Sequence, residues 1–408
     1  MLRSFGKFVL AGAVAAVLAS SLPAQAADDE VRIGLLFDVT GPVANFVPPM
    51  LDAAKLAIDQ VNAQGGILGG KKLVSIVADT QGSPQVAVDA ANKLVNAEKV
   101  SVVVGALLSG TTLASAQSVI IPAGVVQISP TATTPVLTGL KDNDWVFRVV
   151  PSDAFQGPVL AKMLMDKGIT RVALTYANND YAVGIAGTFR DAYKQLGGTI
   201  TADIRHEEKK SSYRTELAQL AKGKPQALVL IAFAGESGVT IVKEALEGAF
   251  FTQFIGTDGL RDKLLIDQIG ADNLKSALFT SPSAPPGTPS LEAFEKAYTA
   301  AYQTTKDKLF IQQVYDVTFI AALAIEKAGS TDRAKIRDAL RDVGSAGGEA
   351  VGPGDWKKAV DLIAAGKKIT YVGAACPCQF DQNGDVAGVI GEFVIENGSY
   401  KQVGIVKP

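Results

Sequence analysis

Along most of this chain, short uniformly apolar runs alternate with longer stretches in which apolar positions recur at helical spacing, the pattern of parallel strands joined by crossover helices. Val31–Phe37 is expected as the first strand. Helix Met50–Gln64 follows, with Ala53, Ala54, Ala57, Ile58 and Val61 on one face and Gly65-Gly66 ending it, and then strand Leu73–Ala78. The unit repeats as helix Gln85–Asn96, strand Val100–Val104, helix Thr111–Val119 and strand Val125–Ile128. A second series opens after Arg148–Pro151: helix Ala154–Asp166, strand Arg171–Thr175, helix Tyr181–Leu196, strand Ile200–Arg205, helix Tyr213–Ala221, strand Ala227–Ala232, helix Gly238–Leu246 and strand Phe254–Gly256. Two Rossmann-like halves and an α/β fold class are implied. The Pro- and Gly-rich stretch Ser281–Gly287 breaks the rhythm and reads as a crossing between halves, followed by helices Ser290–Thr304, Phe310–Ala328 and Thr331–Val343. In the tail, Gln379-Phe380 and Val386–Ile395 look like strands joined through Asp381–Gly384. Asn383-Gly384 and Asn397-Gly398 are hairpin-turn pairs, the second leading into strand Lys401–Val406.

Ahead of the first strand, Arg3 and Lys7 precede an uncharged apolar run, Phe8–Leu22, and then Ala24-Gln25-Ala26, the small-x-small form that a signal peptidase reads. The run falls short of the ~20 residues that span a bilayer. Residues 1–26 are therefore expected to be a signal peptide cleaved near Ala26, with no Cys there to carry a lipid, and the product to be soluble and extracytoplasmic. The remaining length, about 380 residues, exceeds what one core usually organises. A net charge of -2 without basic tracts gives no footprint for nucleic acid or anionic lipid. A single His and two Cys leave little from which to assemble His-based triads or zinc clusters, so no catalytic residue, metal or cofactor is expected.

Several local motifs fail on their context. Gly65–Lys71 has the G-x4-G-K spacing of a phosphate loop, but Lys72 stands at its Ser/Thr position and a helix precedes it; it reads as a helix-ending turn. Asp381, Asn383, Asp385 and Glu392 have part of a calcium-loop spacing, yet Val386 stands where that loop needs Gly. Arg205–Lys210, with His206, reads as a solvated loop without a site. Cys376-Pro377-Cys378 leaves a local disulfide, an intermolecular bridge and two buried thiols all open.

The informative positions lie where a strand ends and a helix begins, because free N–H groups and the helix dipole there accept an anion, and open α/β sheets bind ligands at those ends. Gly105–Thr112, with Ser109 and Thr111, follows one strand, and Ser129–Pro135, with Thr131, Thr133 and Thr134, follows another; together they form a candidate carboxylate clamp. In the second half, Asn178–Tyr181, Phe233–Glu236 and Gly256–Gly259 occupy equivalent places. If the halves face each other, one offers donors to an anion and the other an acid, Asp258, among Tyr181 and Phe233. An α-amino acid fits that polarity, since burying its ammonium without a carboxylate costs several kcal/mol.

Leu36–Ala44, Gly65-Gly66-Ile67, Val77–Gln81, Ile128–Thr133 and Asn178–Tyr181 together, in this order and spacing over essentially the whole chain after residue 26, resemble the leucine/isoleucine/valine-binding proteins of ABC importers. The resemblance implies a type I periplasmic binding protein, two Rossmann-like lobes joined by a three-segment hinge near Val149–Pro151, Ala284–Gly287 and Ala374–Pro377. The expected lobes are 27–149 plus 285–374 and 150–284 plus 375–408. It further implies that a ligand carboxylate meets Ser109 and Thr133, that its ammonium meets the carbonyl of Ala132 and the carboxylate of Asp258, and that Phe46, Tyr181, Phe233 and Phe310 wall the side chain. Phe46 and Phe233 stand where the family often has Tyr, and Asp258 where it often has Glu, which implies a more apolar pocket with a shorter acid. The expected protein is a periplasmic monomer that delivers an apolar amino acid to an inner-membrane permease. The alternative is the same fold binding urea, a short amide or an aromatic carboxylate, for which no free ammonium is needed. A sensor subunit and an extracytoplasmic enzyme are the other classes, marked by absence of neighbouring permease and ATPase genes and by ligand turnover respectively.

Overall fold

A computed structural model describes residues 29–406. The expected signal peptide, residues 1–26, lies outside the described residues. Five parallel strands, β1 Glu30–Phe37, β2 Lys72–Asp79, β3 Val102–Gly105, β4 Val126–Ser129 and β5 Val146–Arg148, form one sheet in the order β2-β1-β3-β4-β5. A second sheet holds β6 Arg171–Ala177, β7 Thr199–His206, β8 Ala227–Ile231, β9 Phe254–Gly256 and β10 Leu278–Ser283. The chain then forms a small parallel pair, β11 Glu349–Val351 and β12 Ile369–Tyr371, before β13 Val389–Glu396 and β14 Ser399–Val406 rejoin the second sheet, whose order is β14-β13-β10-β9-β8-β6-β7. Strand order reverses between β1 and β3 in the first sheet and between β6 and β8 in the second, so each has a crevice at its carboxyl edge, where such folds hold ligands.

The chain passes between the two bodies after β5, after β10 and after β12. Between the last two passages, helix Ile311–Ala328 is buried nearly all round, from Ile311 to Ile325, and forms the centre of the first body's core with Phe294, Tyr298, Trp356 and Tyr371. Two buried ionic arrangements hold the passages. Arg148, at the end of β5, is 1% exposed and pairs bidentately with Asp385 (Nε–Oδ1 2.7 Å, Nη2–Oδ2 2.8 Å). The fully buried Asp316 accepts from the Tyr371 hydroxyl (2.8 Å) and from the backbone N–H groups of Ala374 (2.8 Å) and Ala375 (2.7 Å). Burial raises the Asp316 carboxyl to about 7 against these donors. Beside it, Cys376 and Cys378 form an intramolecular disulfide, which settles the alternatives left by the sequence.

Several expected elements differ in extent. The helix expected at Met50 begins at Val47, because Pro48 and Pro49 occupy its first turn, where no intrahelical N–H is required. Ser281-Pro282-Ser283 belongs to β10: Pro282 is paired to β13, and the register with β9 has already ended at Phe279, so no ladder donor is lost on that side. Gln379-Phe380 makes a single bridge, Phe380 to Val386, and the following strand begins only at Val389, because Asp385 is drawn to Arg148. Helix Trp356–Ala364 and the β11–β12 pair were not read from the sequence.

A candidate ligand cleft between two lobes

The first body contributes two loops at the carboxyl edge of its sheet. Gly105, at the end of β3, has φ 120°, and a Cβ there would stand 2.1 Å from the Leu36 carbonyl oxygen, so only glycine fits. The loop that follows is braced from below by the buried carboxylate of Asp38, which accepts from the N–H groups of Leu107 (3.1 Å) and Leu108 (3.3 Å) and from Thr80 Oγ1 (2.5 Å). Most hydroxyls here hold the two loops together. Ser129 donates to the Ala106 carbonyl (2.7 Å), Thr131 donates to the Leu107 carbonyl (2.6 Å), and the Thr134 N–H donates to Ser109 Oγ (3.3 Å). Thr111, read as a ligand donor from the sequence, donates to the Leu108 carbonyl (2.9 Å). Ser109 keeps its own proton undonated among the described residues, at the first position of helix Ser109–Ser115, where N–H groups lack intrahelical acceptors. Thr133 Oγ1 is buried with no partner.

Opposite, the second body presents Tyr181 and Phe233 stacked with ring centroids 5.3 Å apart. The Tyr181 hydroxyl lies 2.6 Å from Thr257 Oγ1 and accepts from the Gly259 N–H (3.3 Å), so it ties the aromatic wall to the loop that carries Asp258. Phe46, Phe233, Asp258 and Phe310 line one chamber together with Thr131 and Leu107, and Ser109, Tyr181 and Phe233 line an adjoining one. Of the sequence-predicted residues, Phe46, Ser109, Tyr181, Phe233, Asp258 and Phe310 line these chambers from both bodies, whereas Ala132 and Thr133 are buried and line neither. Ala132 lies in the same loop, with its carbonyl accepting from Arg148 Nη1 at 3.3 Å. The bodies touch directly: Asn45 Nδ2 donates to Asp262 Oδ2 (3.3 Å), and Gly184 packs where a side chain would meet Pro135 at 2.9 Å.

A residue not singled out in the sequence belongs to the buried cluster around Asp258. Asp153 starts the helix Asp153–Asp166 just past the first crossing, is 0% exposed, and neither of its carboxylate oxygens has a hydrogen-bond partner. Its N–H donates to the Thr133 carbonyl (2.8 Å), which sets it beside the unpartnered Thr133 hydroxyl. Burial, and then the charge of Asp258, hold its carboxyl well above the usual carboxylate range. Gln156, one helical turn on, donates to Asp258 Oδ1 (3.0 Å) and leaves its own Oε1 buried and unpaired. Asp258 is itself raised by burial, against the Gln156 hydrogen bond. This cluster therefore concentrates acceptors and ionisable oxygens with no paired cation, the charges of Arg148 and Arg261 acting on Asp153 and Asp258 without an ion pair. The spacing Asp153-x-x-Gln156 at a helix start, on one face, was the available signal.

The sequence reading of Arg205–Lys210 as a solvated loop needs correction at His206. That ring is 2% exposed at the end of β7, with Nδ1 2.8 Å from Thr175 Oγ1 and Nε2 2.9 Å from Ser237 Oγ, and burial lowers it to about 4. It is a satisfied core histidine away from the cleft. The Cys376 and Cys378 sulfurs beside Asp316 are joined to each other and so offer no thiolate to a metal. No helix among the described residues is long and apolar enough to cross a membrane.

Two α/β bodies closing on an aromatic and acidic cleft, linked by three chain passages, define a two-lobed solute-binding protein of type I periplasmic architecture. A family model described as periplasmic binding protein matches residues 30–362, and the chain belongs to that family. It is 30% identical over 335 residues to a Leu/Ile/Val-binding protein of Rhizobium johnstonii, covering 80% of this chain and 88% of that protein. It is 29% identical over 316 residues to a leucine-, isoleucine-, valine-, threonine- and alanine-binding protein of Pseudomonas aeruginosa (77% and 83% covered). Among solved structures, the Streptococcus pneumoniae branched-chain amino acid transporter substrate-binding protein in complex with isoleucine superposes with a TM-score of 0.76 at 26% identity, over 93% of this chain and 100% of that one. A leucine-binding protein of Thermotoga maritima gives 0.78 at 23% identity over 93% and 99%.

Proposed function

We propose that this protein is the periplasmic receptor of an ABC importer and that it captures an apolar α-amino acid in the cleft, handing it to the membrane permease as a closed, monomeric complex. The observation that carries the reading is the pair of buried acids, Asp153 and Asp258, with the unpaired oxygens of Asp153, Gln156 and Thr133 between them. A buried carboxylate without a cation costs several kcal/mol, and a ligand ammonium supplies that cation. An aromatic carboxylate or a neutral amide brings no such charge. The ligand carboxylate goes to Ser109 and the first N–H groups of its helix, with Thr133 between the two ends, and Phe46, Phe233 and Phe310 enclose an apolar side chain. Ala132 adds a carbonyl for the ammonium. Relatives named for leucine, isoleucine and valine support the same class.

The chain passages after β5, β10 and β12 serve as the hinge, and the ligand bridges the lobes, so closure is a population shift set by its extra affinity for the closed form; no covalent step is needed. A thermal-shift screen of amino acids, amides and aromatic acids tests the reading, since tight binding raises the melting temperature by mass action. Apolar amino acids are expected to give the largest shifts. Shifts confined to amides or aromatic acids would reassign the ligand.

A further inference from the structure

Behind the cleft, on the far side of Leu309 and Phe310, lies a second chamber that the amino acid does not use. Its walls come from both lobes: Arg261 and the β13–β14 edge from one, and the start of helix Ile311–Ala328 from the other, with the crossing Pro282–Gly287 along one side. The guanidinium of Arg261 stacks 3.4 Å above the Phe393 ring centroid. Among the described residues it forms no ion pair, its side chain makes no hydrogen bond, and its Nε is buried without a partner. Burial lowers it to about 10, with Tyr400 and the charges of Asp258 and Asp307 acting against that lowering but none of them paired with it.

Facing it, the eighteen-residue helix Ile311–Ala328 begins with no capping side chain, so its first N–H groups and the positive end of its dipole stand free beside the chamber. Gln313, in that first turn, lines the chamber and is 3% exposed, and its Oε1 is buried and unpaired. Its terminal amide can present oxygen or nitrogen there, and an anion selects the nitrogen. Lys308 also lines the chamber. The acids nearby are turned to other work or lie at the rim: Asp258, whose charge acts on Arg261, accepts from Gln156 (3.0 Å), Asp307 Oδ1 accepts from the Tyr400 N–H (3.2 Å), and Glu295 is half-buried on the helix Pro289–Tyr302.

We propose that this chamber binds a small carboxylate anion, held by the Arg261 fork on one lobe and by the Gln313 amide and helix N–H groups on the other. The fork suits a carboxylate because its parallel N–H donors match the two oxygens. An anion so placed bridges the lobes close to the hinge crossing and stabilises the closed form.

The test uses the full-length mature protein and two probes. In thermal unfolding at fixed ionic strength, acetate replacing a bulky, weakly coordinating anion is expected to raise Tm saturably by a few degrees in the wild type. Arg261→Gln is expected to abolish the shift and Gln313→Leu to reduce it. In crystals soaked in bromide, an anomalous peak is expected between the Arg261 guanidinium and Gln313. No peak there, or an acetate response that is the same in wild type and both variants, overturns the proposal. Because the bromide measurement uses the wild type alone, a variant that fails to fold leaves the test intact, and loss of amino-acid binding has no bearing on it.

Discussion

Replacing Asp153 by Asn exchanges a fully buried carboxylate for an amide of nearly the same volume, so no cavity opens and the change isolates charge. Both carboxylate oxygens lack protein partners, and burial together with the Asp258 charge raises the carboxyl. A carboxyl with a raised folded value destabilises the fold increasingly as pH rises above the unfolded value of 3.8, the penalty being complete above the folded value, so Asp153→Asn should make the ligand-free protein more stable at neutral pH, by about 1–3 kcal/mol. With an amino acid bound the balance reverses. The ammonium loses a charge-assisted hydrogen bond worth about 2–3 kcal/mol, or roughly 30- to 150-fold in Kd. Denaturant melts of the empty protein and calorimetric titration with leucine read the two effects separately. A variant with unchanged stability and unchanged affinity would refute the argument, and one that lost both would mark Asp153 as a structural residue only.

Four further outcomes follow from the same geometry. Asp258→Ala should weaken amino-acid binding by about 2–3 kcal/mol in calorimetry, while Ser109→Ala and Thr133→Ala should cost about 1–2 kcal/mol each, because helix N–H groups remain. Affinity should fall as pH drops through the raised range of Asp153 and Asp258, above the ordinary 3.8, since protonation removes the counter-charge; a flat profile down to that value contradicts the pairing. His206 is held near 4 against 6.5, so the unfolded chain takes up the proton first and stability should decline by about 3 kcal/mol between those pH values, a slope that His206→Gln removes in pH-dependent melts. Asp385→Ala strands the buried Arg148 guanidinium and should cost about 3–5 kcal/mol of stability by urea unfolding.

Much of the fold was legible because local pattern and tertiary role agree. The apolar, fully buried β3 and β8 and the amphipathic helices around them allow little choice but parallel sheets, and the loops after these two strands fall at the strand-order reversals. What stayed hidden depends on long-range partners. Pro282 sits in a strand because β9 ends before reaching it, and Val386 fails to start one because Asp385 is claimed by Arg148, 237 positions away. At the cleft, the positions of Ser109 and Asp258 were readable from strand-end chemistry. Thr111 and Thr131 carry the same signal but spend their hydroxyls on backbone carbonyls, and only coordinates separate the two uses. Asp153 and His206 were obscured for a shared reason: an acid at a helix start and a histidine beside charged residues both look solvent-facing until the opposite lobe or the neighbouring strands cover them.

The most direct test of the account is paired calorimetric titration of the wild-type protein with apolar α-amino acids and with the same molecules lacking the amino group, leucine against 4-methylpentanoate among them. The account predicts that at least one amino acid binds and that its deaminated partner binds at least roughly 100-fold more weakly, the loss expected when buried carboxylates keep no counter-charge. Equal affinity for the two, or binding of the deaminated acids alone, would contradict it.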